Sequence, residues 1–442
     1  MTSRPAILAW TFFSLVYVYY VSLFYPGYYT ADSIYTLKMG LGLSPLSNWH
    51  PALLSIIWGA IYKAFGRVEL IWFIQIGIFF AIVAYLAHLY RNTAVSAVAA
   101  IVLLGWPPLI TNMAAVWKDN WTIICLLGAV AFTKAAWGDK HFGFAAVALA
   151  LATLAVAFRT DYVVVALPLV LALGWRLRST RGMAGIGAVA LAAMAAAHVG
   201  QESIVESRLN PWTQIAAWDI AGTMVRSTSP LPDVEINGRK FTRDHLRPLY
   251  SCQHSNLLVF GENGFPLNLP ESPPLRDTSD EAREIRRAWL ATVRADIPAY
   301  LRHRWCVGSQ FLGIGVPEVQ YPFPFGVIPN GLGIEFQRSP TNIYIYWFFN
   351  GHAHGPMWRL WIYLVATAAM CAALVPLSRD RLLPLALAVT VFAAAARVMI
   401  LPAADFRYGL WIVVGSWLIA FELLDQILNR RVSRVTSSTR QA

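Results

Sequence analysis

The sequence predicts an all-α polytopic membrane protein with about ten membrane helices, further interfacial helices, and one large extracytoplasmic loop domain of helical and irregular structure. Three observations predict it. Hydrophobic residues make up 57% of the chain and charged residues 13%, and the mean hydropathy is +0.50, so a soluble domain of this size would lack the charges to cover its surface. Apolar runs of bilayer length recur along the chain. The 35 Lys and Arg exceed the 24 Asp and Glu, but they stand singly or in pairs beside those runs, which argues for membrane orientation and against nucleic acid as a partner.

Taken in order, apolar stretches suited to spanning run near 6–24, 69–89, 94–115, 120–136, 143–158, 162–175, 183–199, 357–377, 382–401 and 408–427. The stretch Pro51 to Phe65 is marginal for a span and is read as interfacial. Arg4, Arg91, Lys134, Lys140, Arg176, Arg178, Arg181, Arg379, Arg381, Arg430, Arg431 and Arg434 then share one side, which the positive-inside rule makes the cytoplasm. Counting 51–65 as a span would set Arg4 opposite all the later clusters. The resulting organisation is a membrane module at 1–199, a loop domain at 200–355, further spans at 356–428 and a basic cytoplasmic tail at 429–442. A short basic start and apolar stretch resemble an export signal, but no small-residue cleavage site precedes Tyr25-Pro26-Gly27, so an uncleaved first helix is expected.

The large loop carries Cys252 and Cys306, whereas Cys125 and Cys371 lie within spans. An oxidising compartment allows the loop pair to bridge, and two free thiols are the other reading. Thr278-Ser279-Asp280-Glu281 has the form of a capping box that opens a helix with apolar positions Ile285, Trp289, Val293 and Ile297. Phe311 to Phe336, rich in Gly, Pro and aromatics, is expected to be irregular with at most short strands.

The charges that suggest chemistry all fall on the side opposite the bare Lys and Arg, so an active site facing the extracytoplasmic space is expected. Asp32 sits just outside the first span, where a carboxylate can act as general base, or it can simply cap the following helix. His50 before Pro51 is a candidate substrate contact or a polar helix start. Lys118 and Asp119 adjoin at a membrane boundary, suited to a lipid phosphate, or form a snorkelling Lys paired with its neighbour. Arg159 and Asp161 interrupt an apolar run, which marks a functional site by default. Arg397 lies inside a span and needs a counter-charge, with Asp405 the nearest choice ahead of Arg407. In the loop, Asp219, Arg302, His303 and Arg304 are further candidates, against a plain reading as solvated charges. His352-Ala353-His354 has metal-like spacing without an evident third ligand. No nucleotide-binding glycine loop, nucleophile elbow or His-Glu-x-x-His helix is present.

The order of these motifs resembles the GT-C superfamily of multi-pass glycosyltransferases: Asp-Ser in the first outer loop, His-Pro at an interfacial helix, Lys-Asp before a span, Arg-x-Asp in a broken span, and Asp-Phe-Arg-Tyr before the last one. Trp-Asp-Ile-Ala-Gly and Pro-Ala-Tyr-Leu-Arg-His-Arg are similar to bacterial members with one large periplasmic loop. The resemblance implies a bacterial inner (plasma) membrane location with the active site facing the periplasm. It implies a polyprenyl-phosphate sugar donor, transfer with inversion to a glycan or lipid acceptor, Asp32 as the catalytic acid-base residue, and supply by a donor synthase and flippase. Lys118, Arg159, Arg397 and Arg407 are the cations available to the lipid phosphate, and two of them are expected to serve. Asp32 is followed by Ser33 and not by a second acid, a departure that argues against a metal-bridged mechanism; no cofactor is expected, with a divalent metal left open. A polysaccharide polymerase or ligase using lipid-pyrophosphate-linked oligosaccharides, or a lipid or glycan transporter, is the alternative.

Overall fold

In the computed structural model the described residues are all but 1–3, 140–141, 262, 266–278, 337, 376–377, 379 and 439–442. Helices dominate, and many of the breaks coincide with a Pro, a Gly or a capping side chain. Helix α1 (Arg4–Phe24) stops before Tyr25-Pro26-Gly27, since Pro cannot donate to a continuing helix. Next comes a helical hairpin of α2 (Ala31–Leu41) and α3 (Ala52–Phe65), closed at Gly42 and Gly66 in left-handed conformation. Backbone meets backbone where α2 crosses α3, because a Cβ on Gly40 would overlap the Ser55 carbonyl and one on Gly59 the Gly40 carbonyl. Gly59→Leu is expected to cost on the order of 1–3 kcal/mol through overpacking, read as a lowered thermal midpoint in detergent. Gly105→Ala, with open space around it, should leave the midpoint unchanged.

Helix α4 (Glu69–His88) is followed by α5 (Thr93–Gly105) and α6 (Pro107–Met113), which bend by 52° at Trp106. The expected span at 94–115 is therefore a bent pair, because Pro107 and Pro108 interrupt the helical ladder. Apolar surroundings demand that freed carbonyls find partners. Gln75 Nε2 donates to Met113 O and Ala115 O at 3.2 and 2.8 Å, and Asn120 Nδ2 donates to Asn112 O and Ala115 O at 2.7 and 2.8 Å. Helices α7 (Lys118–Asp139) and α8 (Phe142–Phe158) pack as neighbours.

Helix α9 (Val163–Ser203) has helical backbone throughout, yet it doubles back. Gly174 lies against Met183, and Leu171 against Gly187, whereas nine residues of straight helix would separate by about 13 Å. The runs at 162–175 and 183–199 are thus arms of one hairpin.

The loop domain gathers α10 (Trp212–Arg226), an antiparallel pair β1 (Val234–Ile236) and β2 (Arg239–Phe241), and α11 (Arg243–Leu246), α12 (Asn256–Val259), α13 (Ser279–Ala295) and α14 (Ile297–Leu312). Its own core includes Trp218, Ile220, Ile236, Phe241, Ile285 and Val307. Cys252 and Cys306 form a disulfide. Thr278 of the expected capping box, like Lys140 and Arg379, lies outside the described residues. The stripe on α13 is shorter than expected: Asp296 caps α14 by accepting from Ala299 N at 2.9 Å, so Ile297 opens the next helix and is exposed. The described residues between 313 and 339 are irregular, with Val327 bridged to Tyr29. Helices α15 (Pro340–His352), α16 (Leu360–Leu374), α17 (Leu382–Ala396) and α18 (Leu410–Ser438) complete the described elements.

Five helices of the described residues are long and apolar enough to cross a membrane, or six with α5 and α6 taken as one. Thr11–Phe24, Ala52–Phe65, Phe142–Phe158 and Leu360–Ala373 are shorter apolar helices. The chain has the character of a helical membrane protein. Lys118 opens α7 at the cavity described below, while Lys134 near the other end of α7 pairs with Glu422, and Arg176 pairs with Asp380.

Candidate active site

Asp32 does not cap its helix. Thr30 holds the N-cap position, its N–H donating to Ser33 Oγ at 3.1 Å, and Ser33 in turn donates to Val116 O at 2.6 Å. The Asp32 carboxylate is left free to turn outward. It accepts from Arg407 Nη1 at 2.7 Å, across 375 residues of chain, and lies 3.9 Å from His50 Nε2. Arg407 comes from the Asp405-Phe406-Arg407-Tyr408 turn between α17 and α18. Its guanidinium lies over Trp117 and Tyr408, 4.6 and 5.0 Å from the ring centres, and 3.3 Å from Asp405.

Lys118 and Asp119, adjacent in sequence, point to different partners. Lys118 Nζ donates to His50 Nδ1 at 3.1 Å, and Asp119 pairs with Arg159; of the two readings of this motif, pairing of Lys118 with its neighbour does not form, because successive helical positions diverge by about 100°. Arg159 also makes two 3.0 Å bonds to Asp161. Arg397 Nε donates to Asp161 at 2.9 Å, not to Asp405 as expected, and its guanidinium lies 3.7 Å from the Tyr162 ring centre. Helix α17 packs against α9, which carries the end of α17 to the Asp161 turn.

Asp32, His50, Lys118, Arg159, Asp161, Asp405 and Arg407 line one cavity of about 1100 Å³. Asp119 and Arg397 stand behind its wall as counter-ions. Asp219, Arg302 and Arg304 do not line it. Asp219 is buried in the loop-domain core, 2.7 Å from Arg304 Nε and 3.3 Å from His303 Nε2, and accepts from Trp289 Nε1 at 2.9 Å. That cluster exists because Gly222, lacking a Cβ, lets His303 of α14 press against α10. Arg302 is half exposed near Asp296 and donates to Arg226 O at 3.1 Å. These three candidates are scaffold residues and not cavity residues.

The cavity also exposes residues the sequence did not mark, among them Trp49, Gln201, Glu202, His254, Tyr321 and Tyr408. Gln201 and Glu202 carried a usable signal as polar residues ending an apolar arm, and Trp49 and Tyr408 flank candidates; His254 and Tyr321 lie in irregular chain with no periodicity to read. His352 bonds Phe348 O, and His354 lies 3.7 Å from Glu318 on the surface. Among the described residues no three or more His, Cys, Asp or Glu gather as metal ligands.

Charge in the cavity is finely divided. Burial opposes ionisation of Asp32, but the guanidinium of Arg407 and the nearby Lys118 override it and hold the carboxyl well below its usual range. Burial and the Lys118 charge push His50 down to about 3, so it is neutral. With Lys118 donating to Nδ1, the His50 proton sits on Nε2, facing Asp32. Burial raises Asp405 to about 6, aided by the charges of Asp32 and Asp119 and opposed by Arg407. Partial burial opposes ionisation of Asp161, yet Arg159 and Arg397 keep it ionised. An arrangement of one exposed carboxylate beside two cations can accept a proton and neutralise a leaving anion in the same space.

No known protein family, curated protein or solved structure matches the chain.

Proposed function

We propose that the chain is a glycosyltransferase of the GT-C type in a bacterial inner membrane, with about ten spans and residues 200–355 in the periplasm. It moves a sugar from a polyprenyl-phosphate donor to an extracytoplasmic acceptor with inversion. The observation that carries this reading is the meeting of Asp32, His50, Lys118 and Arg407, from four separate parts of the chain, in one cavity. Their likeness in order to the GT-C motifs supports the donor class.

In the reaction, an acceptor hydroxyl gives its proton to Asp32 as its oxygen bonds to the anomeric carbon. The bond from that carbon to the phosphate oxygen breaks, and the lipid phosphate leaves with the electron pair. Lys118 is suited to the phosphate because its partner His50 is neutral and, among the described residues, no carboxylate comes within ion-pair distance. Arg407 is the second phosphate ligand. While it holds Asp32 the base is weak, so transfer of the guanidinium to the phosphate both stabilises the leaving group and releases the base. Arg159 and Arg397 are committed to Asp119 and Asp161 and maintain the wall.

The test is turnover of a radiolabelled polyprenyl-phosphate sugar in proteoliposomes carrying cell-envelope acceptors. Wild type is expected to form a glycosidic product, and Lys118→Ala to lower the rate on the order of 100-fold, as for loss of one donor to a developing anion. Movement of label across the bilayer without a product would replace this reading with transport.

The pH dependence follows from Asp405, whose carboxyl titrates at about 6. Below that pH it is protonated and Arg407 serves Asp32 alone; above it, ionised Asp405 shares the guanidinium and Asp32 gains basicity. The transfer rate is therefore expected to rise through about pH 6, and Asp405→Asn to remove that inflection from the rate profile. The raised carboxyl acts oppositely on stability, contributing at low pH and losing that contribution as pH rises through about 6.

A further inference from the structure

The cavity has two unlike halves. One holds Lys118, Arg159 and Arg407 around Asp32. The other is walled by the end of α9 and the edge of the loop domain, and none of the described residues lining it there is a Lys or Arg. Rings take their place: Trp49, Trp212 and Phe260. Phe260 is 46% and Trp212 39% exposed, and Trp49 packs against the loop-domain core. The Trp49 and Phe260 rings lie 6.3 Å apart at 69°, forming a corner.

Polar groups of fixed direction lie between the rings. Gln214 Nε2 donates to Ser255 Oγ at 2.9 Å, and Ser255 Oγ donates to Pro402 O at 3.2 Å, fixing this wall to the segment that carries Asp405. Gln214, His254 and Asn256 all line the cavity. Open aromatic faces alternating with side-chain amides suit a ligand that is apolar on its faces and hydroxylated at its edges, which describes a sugar chain.

We propose that this half is the acceptor subsite and that the acceptor is a neutral or amino-sugar oligosaccharide. The proposal rests on the glycosyltransferase reading, because Trp49 precedes His50 and so carries the end of a bound chain to Asp32. Acidic glycans are disfavoured here: the wall offers no cation, and Glu202 adds a negative charge. An anion is drawn to the opposite half, where the donor phosphate binds.

The test uses the full chain in nanodiscs with two separate probes, an array of neutral, amino and acidic oligosaccharides, and fluorescent polyprenyl phosphate. Neutral or amino chains are expected to bind and acidic chains to fail. Trp212→Ala and Phe260→Ala should each weaken oligosaccharide binding roughly three- to ten-fold, the range for loss of one aromatic contact, and leave polyprenyl-phosphate binding unchanged. Lys118→Ala should do the reverse, which separates loss of a subsite from loss of the fold. Preference for acidic chains, absence of any oligosaccharide binding, or unchanged binding by both ring variants overturns the subsite; if wild type still binds polyprenyl phosphate, the transferase reading survives. Failure of wild type to bind polyprenyl phosphate overturns that reading instead.

Discussion

Asp32→Asn is expected to lower sugar transfer by ~100- to 10,000-fold, the usual contribution of a general base, while the protein stays folded. The side chain is 36% exposed to the cavity and its removal as an anion leaves no buried polar gap. Arg407 loses one carboxylate but keeps Asp405 at 3.3 Å, and Asp405, relieved of a like charge, ionises more readily. The guanidinium therefore remains neutralised, and the thermal midpoint should move little. Steady-state transfer assays and a melting curve on the same preparation separate the two effects. Full activity in the variant would remove Asp32 from the mechanism.

Asp219→Ala is expected to act in the opposite way, costing about 3–5 kcal/mol of stability because a buried pair is broken from one side. Arg304 is 3% exposed and His303 fully buried, so both would be left facing an apolar gap, and Trp289 Nε1 would lose its acceptor. Limited proteolysis of the reconstituted protein should cut within 200–355 far faster than in wild type. Protein that remains folded should keep the wild-type KM for the donor, since Asp219 lies outside the cavity. A raised KM with unchanged protease resistance would return Asp219 to the binding site.

These two aspartates looked alike in sequence, each a lone acid near an apolar segment. Their difference lies in what reaches them. Asp32 receives a side chain from the far end of the chain and faces open space; Asp219 is enclosed by α13 and α14, which Gly222 allows to close over it. Likewise Lys118 and Asp119 formed one motif in the sequence, and the helix sends them to His50 and Arg159. Asp405 is the acid nearest Arg397 along the chain, but packing of α17 on α9 delivers Arg397 to Asp161.

Residue order was enough to fix the class of protein, a helical membrane protein, and to single out most of the charged residues that meet in the cavity. The composition is that of a membrane protein, helical runs of bilayer length follow from local hydrophobicity, and the polar residues of the cavity stand at helix ends because burying them within apolar spans is costly. Asp32, His50, Lys118, Arg159, Asp161, Asp405 and Arg407 were all legible on that ground. Tertiary structure alone decided which cation serves which carboxylate, which candidates stand behind the cavity wall or outside the cavity, and where the aromatic half of the cavity lies. Pairing is a property of distances between side chains brought together from remote segments, and an ion's free charge depends on its neighbours in space, which residue order does not encode.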